Sequence, residues 1–83
     1  MSFTVYIIYS FSLDRYYVGH CEDLNERMYR HNNSGSPFTK KAKDWRVVHV
    51  ELFYTKSEAF GREMEIKKKK SRKYIEWLIN NVG

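Results

Sequence analysis

Glu63 stands where a carboxylate is hard to account for. It lies in a helical stretch whose apolar arc is Ala59, Phe60, Met64 and Ile66, and at about 100° per residue it falls inside that arc. A second helical stretch has the same oddity. Leu24, Arg27, Met28 and His31 follow i, i+3, i+4, i+7 spacing, so an arginine and a histidine share an inward stripe with two apolar residues. Buried charge is costly unless it is paired or bound to a metal. Glu63 taken alone could pair with a lysine or sit at the domain's rim; otherwise Arg27 and Glu63 pair directly, or Arg27, His31 and Glu63 line one shared site. The residue types suit anion chemistry: a carboxylate can hold a hard cation, and a guanidinium fork can hold two anion oxygens. Tyr6 and Tyr17 add phenols that donate and accept protons. Only about 0.1% of an unperturbed phenol is ionised at neutral pH, so a catalytic tyrosine needs nearby positive charge, a metal or an acceptor such as His20. With seven tyrosines in the chain, most must be packing residues.

These groups have to be positioned by a small set of elements. Phe3 to Tyr9 is a continuous β-branched and aromatic run, which reads as a central strand covered on both faces. After a short connector, Ser10 to Asp14, strand character resumes over Arg15 to Gly19, and the two make a hairpin. Asp23 with Glu26 three residues on caps a helix from about Leu24 to Asn32, ended by Asn33-Ser34-Gly35-Ser36-Pro37. Asn32 to Trp45 has no clear period and reads as a solvent-facing loop. Arg46 to Tyr54 alternates as a third strand, with Val48, Val50, Leu52 and Tyr54 on one face and Val47, His49, Glu51 and Phe53 on the other. Thr55 with Glu58, or Ser57, caps the helix carrying Glu63. Ser71 caps a last helix with Ile75, Leu78, Ile79 and Val82 on its core stripe. The order is β-β-α-β-α-α, without repeats or an interior linker.

Eighty-three residues suit one domain, here taken as 1–83, and 42% hydrophobic with 17% aromatic residues marks a folded protein. The net charge of +5 makes polyanions the natural partners, nucleic acid before anionic membrane. Cys21 is alone, which rules out an intrachain disulfide and suits a reducing cytoplasm. No apolar run approaches a membrane span of roughly 20 residues. The residues show no zinc, P-loop or thiol-nucleophile signature.

Val5-Tyr6-Ile7, Tyr17-Val18-Gly19, Arg27, and Ser57-Glu58-Ala59-Phe60-Gly61-Arg62-Glu63, in that order, resemble the GIY-YIG nuclease superfamily over about Thr4 to Glu63. The continuation to Ile79 is similar to small single-domain members, such as the N-terminal domain of excision-repair incision nucleases. The resemblance implies an α+β fold, a three-stranded antiparallel sheet flanked by helices, and a metal-dependent endonuclease site acting on phosphodiester bonds, with DNA favoured over RNA. By the same resemblance Tyr6 and Tyr17 are the two motif tyrosines, Arg27 holds the scissile phosphate, and Glu63 is the protein ligand of a single Mg²⁺ or Mn²⁺. His20 and His31 fall at positions of assisting groups. Thr4 replaces the first motif's glycine, and the asparagine that some members carry after the glutamate has no clear equivalent beyond Asn80.

Hydrolysis of a phosphodiester needs an activated water, neutralised phosphoryl oxygens and a stabilised leaving oxygen. Tyr6, or in second place Tyr17, is expected to take the water's proton, with His20 favouring the phenolate and His31 orienting the phosphate or Tyr17. Lys67, Lys68, Lys69, Lys70, Arg72 and Lys73 form the densest positive cluster, and Lys40, Lys41 and Lys43 a second. Both suit sequence-independent contact with a phosphate backbone. Cys21 is read as a small turn residue, and Trp45 and Trp77 as core. The readings that compete with a nuclease are a non-catalytic nucleic-acid-binding module and a basic protein-interaction domain.

Overall fold

The computed structural model describes residues 2–33 and 35–81. Its elements are strands β1 (Phe3–Ser10), β2 (Arg15–Cys21) and β3 (Trp45–Phe53), and helices α1 (Leu24–Asn33), α2 (Lys56–Lys69) and α3 (Arg72–Asn81), with a single 3-10 turn at Thr39–Lys41. The sheet is antiparallel in the order β2-β1-β3, so β1 is the central strand that its continuous apolar sequence predicts. The fold is α+β with the expected element order.

Alternation along β1 assigns the two faces. Tyr6 and Ile8 join Cys21, Ala42 and Trp45 in a cluster closed by Leu24 and Met28 of α1. Val5 and Ile7 join Val18 in a cluster with Ala59 and Ile66 of α2 and Leu78 of α3. One helix therefore covers one face and two helices cover the other. The caps agree with the sequence. The Asp23 carboxylate accepts from the Glu26 N–H at 3.1 Å, Thr55 and Glu58 form a reciprocal capping box, and Ser71 Oγ accepts from the Tyr74 N–H at 3.1 Å. The expected core position Val82 and the loop position Ser34 lie outside the described residues.

Several expectations are corrected. β2 runs two residues further, so Cys21 is a buried strand end rather than a turn residue. The stretch read as solvent-facing is anchored: Thr39, Ala42 and Trp45 are buried, and the Asn32 side chain bonds both the N–H and the C=O of Trp45. In β3 the register against β1 shifts between Ile7 and Ile8. Val48 becomes the extra residue, and Val47 turns to the face of Val50 and Leu52 instead of that of His49. Those three apolar side chains are exposed, beyond the reach of the single helix on that face. Phe60 and Met64 are exposed because the buried stripe of α2 is the narrower set Ala59, Glu63 and Ile66. Trp77 is not core either; it lies 56% exposed, stacked on Tyr74.

Candidate active site

Glu63 is buried on α2, as its position in the apolar arc requires, and both its oxygens are engaged. His20 Nδ1–H donates to Oε1 at 2.6 Å, and the Lys67 ammonium, one turn on, donates to Oε2. The ring of Phe60 packs edge-on against His20 at 5.8 Å. The direct Arg27–Glu63 pair does not form. Nor does His20 serve a tyrosine: it pairs opposite Val5, so it points to the α2 face, whereas Tyr6 and Tyr17 point to the α1 face.

On the α1 face the Tyr6 hydroxyl and His31 Nε2 are hydrogen-bonded at 2.7 Å, and both residues are buried. His31 was expected to meet the phosphate or Tyr17; its hydrogen bond goes to Tyr6, and Tyr17 meets only the ring, at 5.3 Å. The other imidazole nitrogen, Nδ1, lies 3.0 Å from Thr39 Oγ1. Gly19 is opposite Tyr6 in the hairpin, and a β-carbon there would come within 2.5 Å of the Tyr6 hydroxyl oxygen. Only glycine leaves the phenol room to lie across β2 and reach α1.

Burial holds the Tyr6 phenol well above the ordinary tyrosine range, with the neighbouring Arg27 guanidinium pulling the other way. Burial thereby disfavours a standing Tyr6 phenolate at neutral pH. Burial, then Arg27, lowers the affinity of His31 for a proton, which favours the neutral ring. Arg27 itself is half-buried and has no carboxylate partner among the described residues. With Arg30 it stands between two clefts. One is lined by Tyr17, Arg27, Arg30, His31, Gly35 and Ser36, and the other runs past Arg27 and the carboxylates of Glu22, Asp23 and Glu26 to His20 and Lys56.

Thr39, Ser36 and Arg30 are the residues that sequence reasoning missed. Arg30 could have been found at i+3 from Arg27 on the same helix. Its bond to Glu26 is an exposed pair, 61% and 60% accessible, of the kind that contributes little. Thr39 gave no signal, because its segment has no period. Among the cations, Lys67 is committed to Glu63. Arg72 is committed to Asp14 and Glu76 and stacks over Tyr16, while Lys69 lies over the Tyr74 ring. Lys40, Lys41, Lys43, Lys68, Lys70 and Lys73 are exposed.

A divalent cation would have Glu63 as its protein ligand. Among the described residues no cluster of three or more His, Cys, Asp or Glu side chains is arranged to hold a metal. A lone carboxylate suits magnesium, which keeps waters and takes phosphate oxygens as its other ligands, and Glu63 already attracts a cation in the Lys67 ammonium.

The family model described as the GIY-YIG catalytic domain matches residues 2–75. A UPF0213 protein of Staphylococcus saprophyticus is 44% identical over 52 residues, covering 61% of this chain and 63% of its own length. A UPF0213 protein of Staphylococcus aureus is 42% identical over the same span. The chain thus matches less than two thirds of the length of these relatives. The solution NMR structure of a UPF0213 protein from Bacillus halodurans superposes with a TM-score of 0.58 at 30% identity, covering 95% of this chain and 83% of that one.

Proposed function

The chain belongs to the GIY-YIG catalytic domain family, and from that membership we propose that it is a divalent-metal-dependent endonuclease. It hydrolyses phosphodiester bonds in DNA, directed by the form of the substrate rather than by its sequence. It works in the cytoplasm, on one domain spanning 1–83. Among the described residues no element resembles a sequence-reading helix or ribbon, which supports direction by form. The observation that carries the reading is Arg27: a half-buried guanidinium without a carboxylate partner among the described residues, beside Tyr6 and between two clefts. Such a group favours an anion, and its planar fork matches two phosphate oxygens.

In this mechanism Arg27 clamps the scissile phosphate, with Arg30 beside it. Tyr6 takes the proton of the attacking water while passing its own proton to His31, so no free phenolate has to form in the buried site. The neutral His31 ring is the acceptor, and Arg27 stabilises the charge that develops on Tyr6 during transfer. Tyr17 walls the cleft and is the second choice of base, favoured by its exposure there. Glu63, oriented by His20, would hold the divalent ion, which would supply neutralisation of the phosphoryl and leaving oxygens.

The test is incubation of the purified protein with plasmid and branched DNA and Mg²⁺ or Mn²⁺, beside Glu63→Ala and Arg27→Ala. Cleavage by the wild type and not by the variants is expected. Salt-sensitive binding with no cleavage above the variants' background would sink the enzyme reading and leave a binding module. Absence of both would leave a protein-interaction domain.

A further inference from the structure

We infer that Thr39 is a positioning residue that fixes the tautomer of His31, holding the hydrogen on Nδ1 so that Nε2 is bare toward Tyr6. Its use in catalysis rests on the proton path just proposed; the tautomer itself does not.

The inference follows from counting donors and acceptors. Tyr6 is 1% exposed, and among the described residues His31 Nε2 is the acceptor within hydrogen-bond distance of its hydroxyl. Arg27, the other polar neighbour of that hydroxyl, can only donate. If Nε2 carried the hydrogen in the substrate-free protein, before an attacking water is bound, the Tyr6 oxygen would receive from both sides and its own hydrogen would have no acceptor among the described residues, which is costly. Tyr6 must therefore donate to Nε2, and the hydrogen of the neutral ring belongs on Nδ1. Facing Nδ1 is Thr39 Oγ1 at 3.0 Å. The groups around His31 are Tyr6 from β1, Tyr17 from β2, Arg27 on its own helix, and Thr39 and Ser36 from the following segment. No carboxylate hydrogen-bonds to the ring among the described residues. The usual orienting carboxylate of a catalytic histidine is here a hydroxyl.

The segment is built to present that hydroxyl. Thr39 is fully buried. The Ser36 N–H donates to Thr39 Oγ1 at 2.9 Å, the Thr39 N–H donates back to Ser36 Oγ at 3.3 Å, and the two hydroxyls lie 3.1 Å apart. Ser36 Oγ can thus take the Thr39 hydroxyl hydrogen, which leaves both Thr39 lone pairs to receive, one from Ser36 and one from His31. The Trp45 indole N–H, donating to the Thr39 carbonyl at 2.7 Å, locks the backbone in place whatever the side chain.

Two-bond ¹H–¹⁵N correlation spectra of the histidine rings test this without reference to activity. Three histidines are present, so the His31 signals are assigned by their loss in His31→Gln. The wild type and Thr39→Ser are expected to show Nδ1–H at His31. Thr39→Val, nearly isosteric but without the hydroxyl, is expected to move the tautomer ratio about tenfold toward Nε2–H, the worth of one buried hydrogen bond. An Nε2–H ring in the wild type, or an unmoved ratio in Thr39→Val, overturns the inference. Should Thr39→Val not fold, the wild-type and Thr39→Ser spectra decide alone. In cleavage assays Thr39→Val is expected to lose about tenfold in rate and Thr39→Ser to recover it. A moved tautomer with unchanged cleavage upholds the positioning role and refutes Tyr6 as the base.

Discussion

Arg62 on α2 is gripped by Glu51 through two hydrogen bonds, Nε to Oε1 at 2.8 Å and Nη2 to Oε2 at 3.1 Å, and is met further by Glu65 and the Tyr74 hydroxyl. His49 Nε2–H completes the group by donating to Glu51 at 2.8 Å. Arg27 on α1 is also half-buried, yet no carboxylate meets it among the described residues. Each arginine has a buried histidine on its side of the sheet. Around Arg62, charges and hydrogen bonds close on one another within the chain. Around Arg27 a histidine sits between two hydroxyls, and the positive charge beside it has no carboxylate partner among the described residues. A polar cluster that satisfies itself holds the fold, and one that leaves a cation unpaired beside a cleft is set for an anion.

The largest effect that can break this contrast is on catalysis. Arg27→Ala should lower cleavage by about 10²–10³-fold, while the melting temperature stays the same or rises, because an uncompensated buried charge has been removed. A large fall in melting temperature without loss of cleavage would make Arg27 another Arg62. Gly19→Ala comes next: its methyl must displace the Tyr6 phenol, so cleavage should fall at least about tenfold, with a stability cost of about 1–3 kcal/mol from overpacking. Paired kinetic and thermal measurements would show both. Arg62→Ala should do the reverse of Arg27→Ala. It leaves Glu51 and His49 without their cation, and with the pair about one-fifth exposed the cost is about 1–3 kcal/mol, read as a lower melting temperature with cleavage per folded molecule unchanged.

The smallest effect extends the comparison to the surface. Lys68→Ala and Lys73→Ala should each reduce the slope of log affinity against log salt by about 0.9 on duplex DNA. Arg72→Ala should leave that slope unchanged, since Arg72 is spent on Asp14 and Glu76.

Much of this contrast was legible in the sequence. The period of each strand and helix, the caps at Asp23, Thr55 and Ser71, and the misfit of Arg27, His31 and Glu63 on apolar stripes are local features, and local features can be read from spacing. What each misfit group pairs with was not legible, because partners are set by long-range placement. His20 and Glu63 are 43 positions apart and Tyr6 and His31 are 25 apart. Thr39 was hidden by an aperiodic segment ordered by hydroxyls rather than by apolar spacing. The faces of β3 were misread because one bulged residue reverses parity, and parity is all that a strand pattern offers. Phe60, Met64 and Trp77 looked like core because they are large and apolar, but a chain this short cannot cover every such side chain.

The most direct test is single-turnover cleavage of a labelled DNA by Tyr6→Phe, with binding measured on the same protein. The account predicts a loss of at least about 10²-fold in rate with affinity unchanged, because the variant keeps the ring packed over Gly19 and removes only the hydroxyl that passes the proton to His31. Wild-type rates from Tyr6→Phe would contradict it.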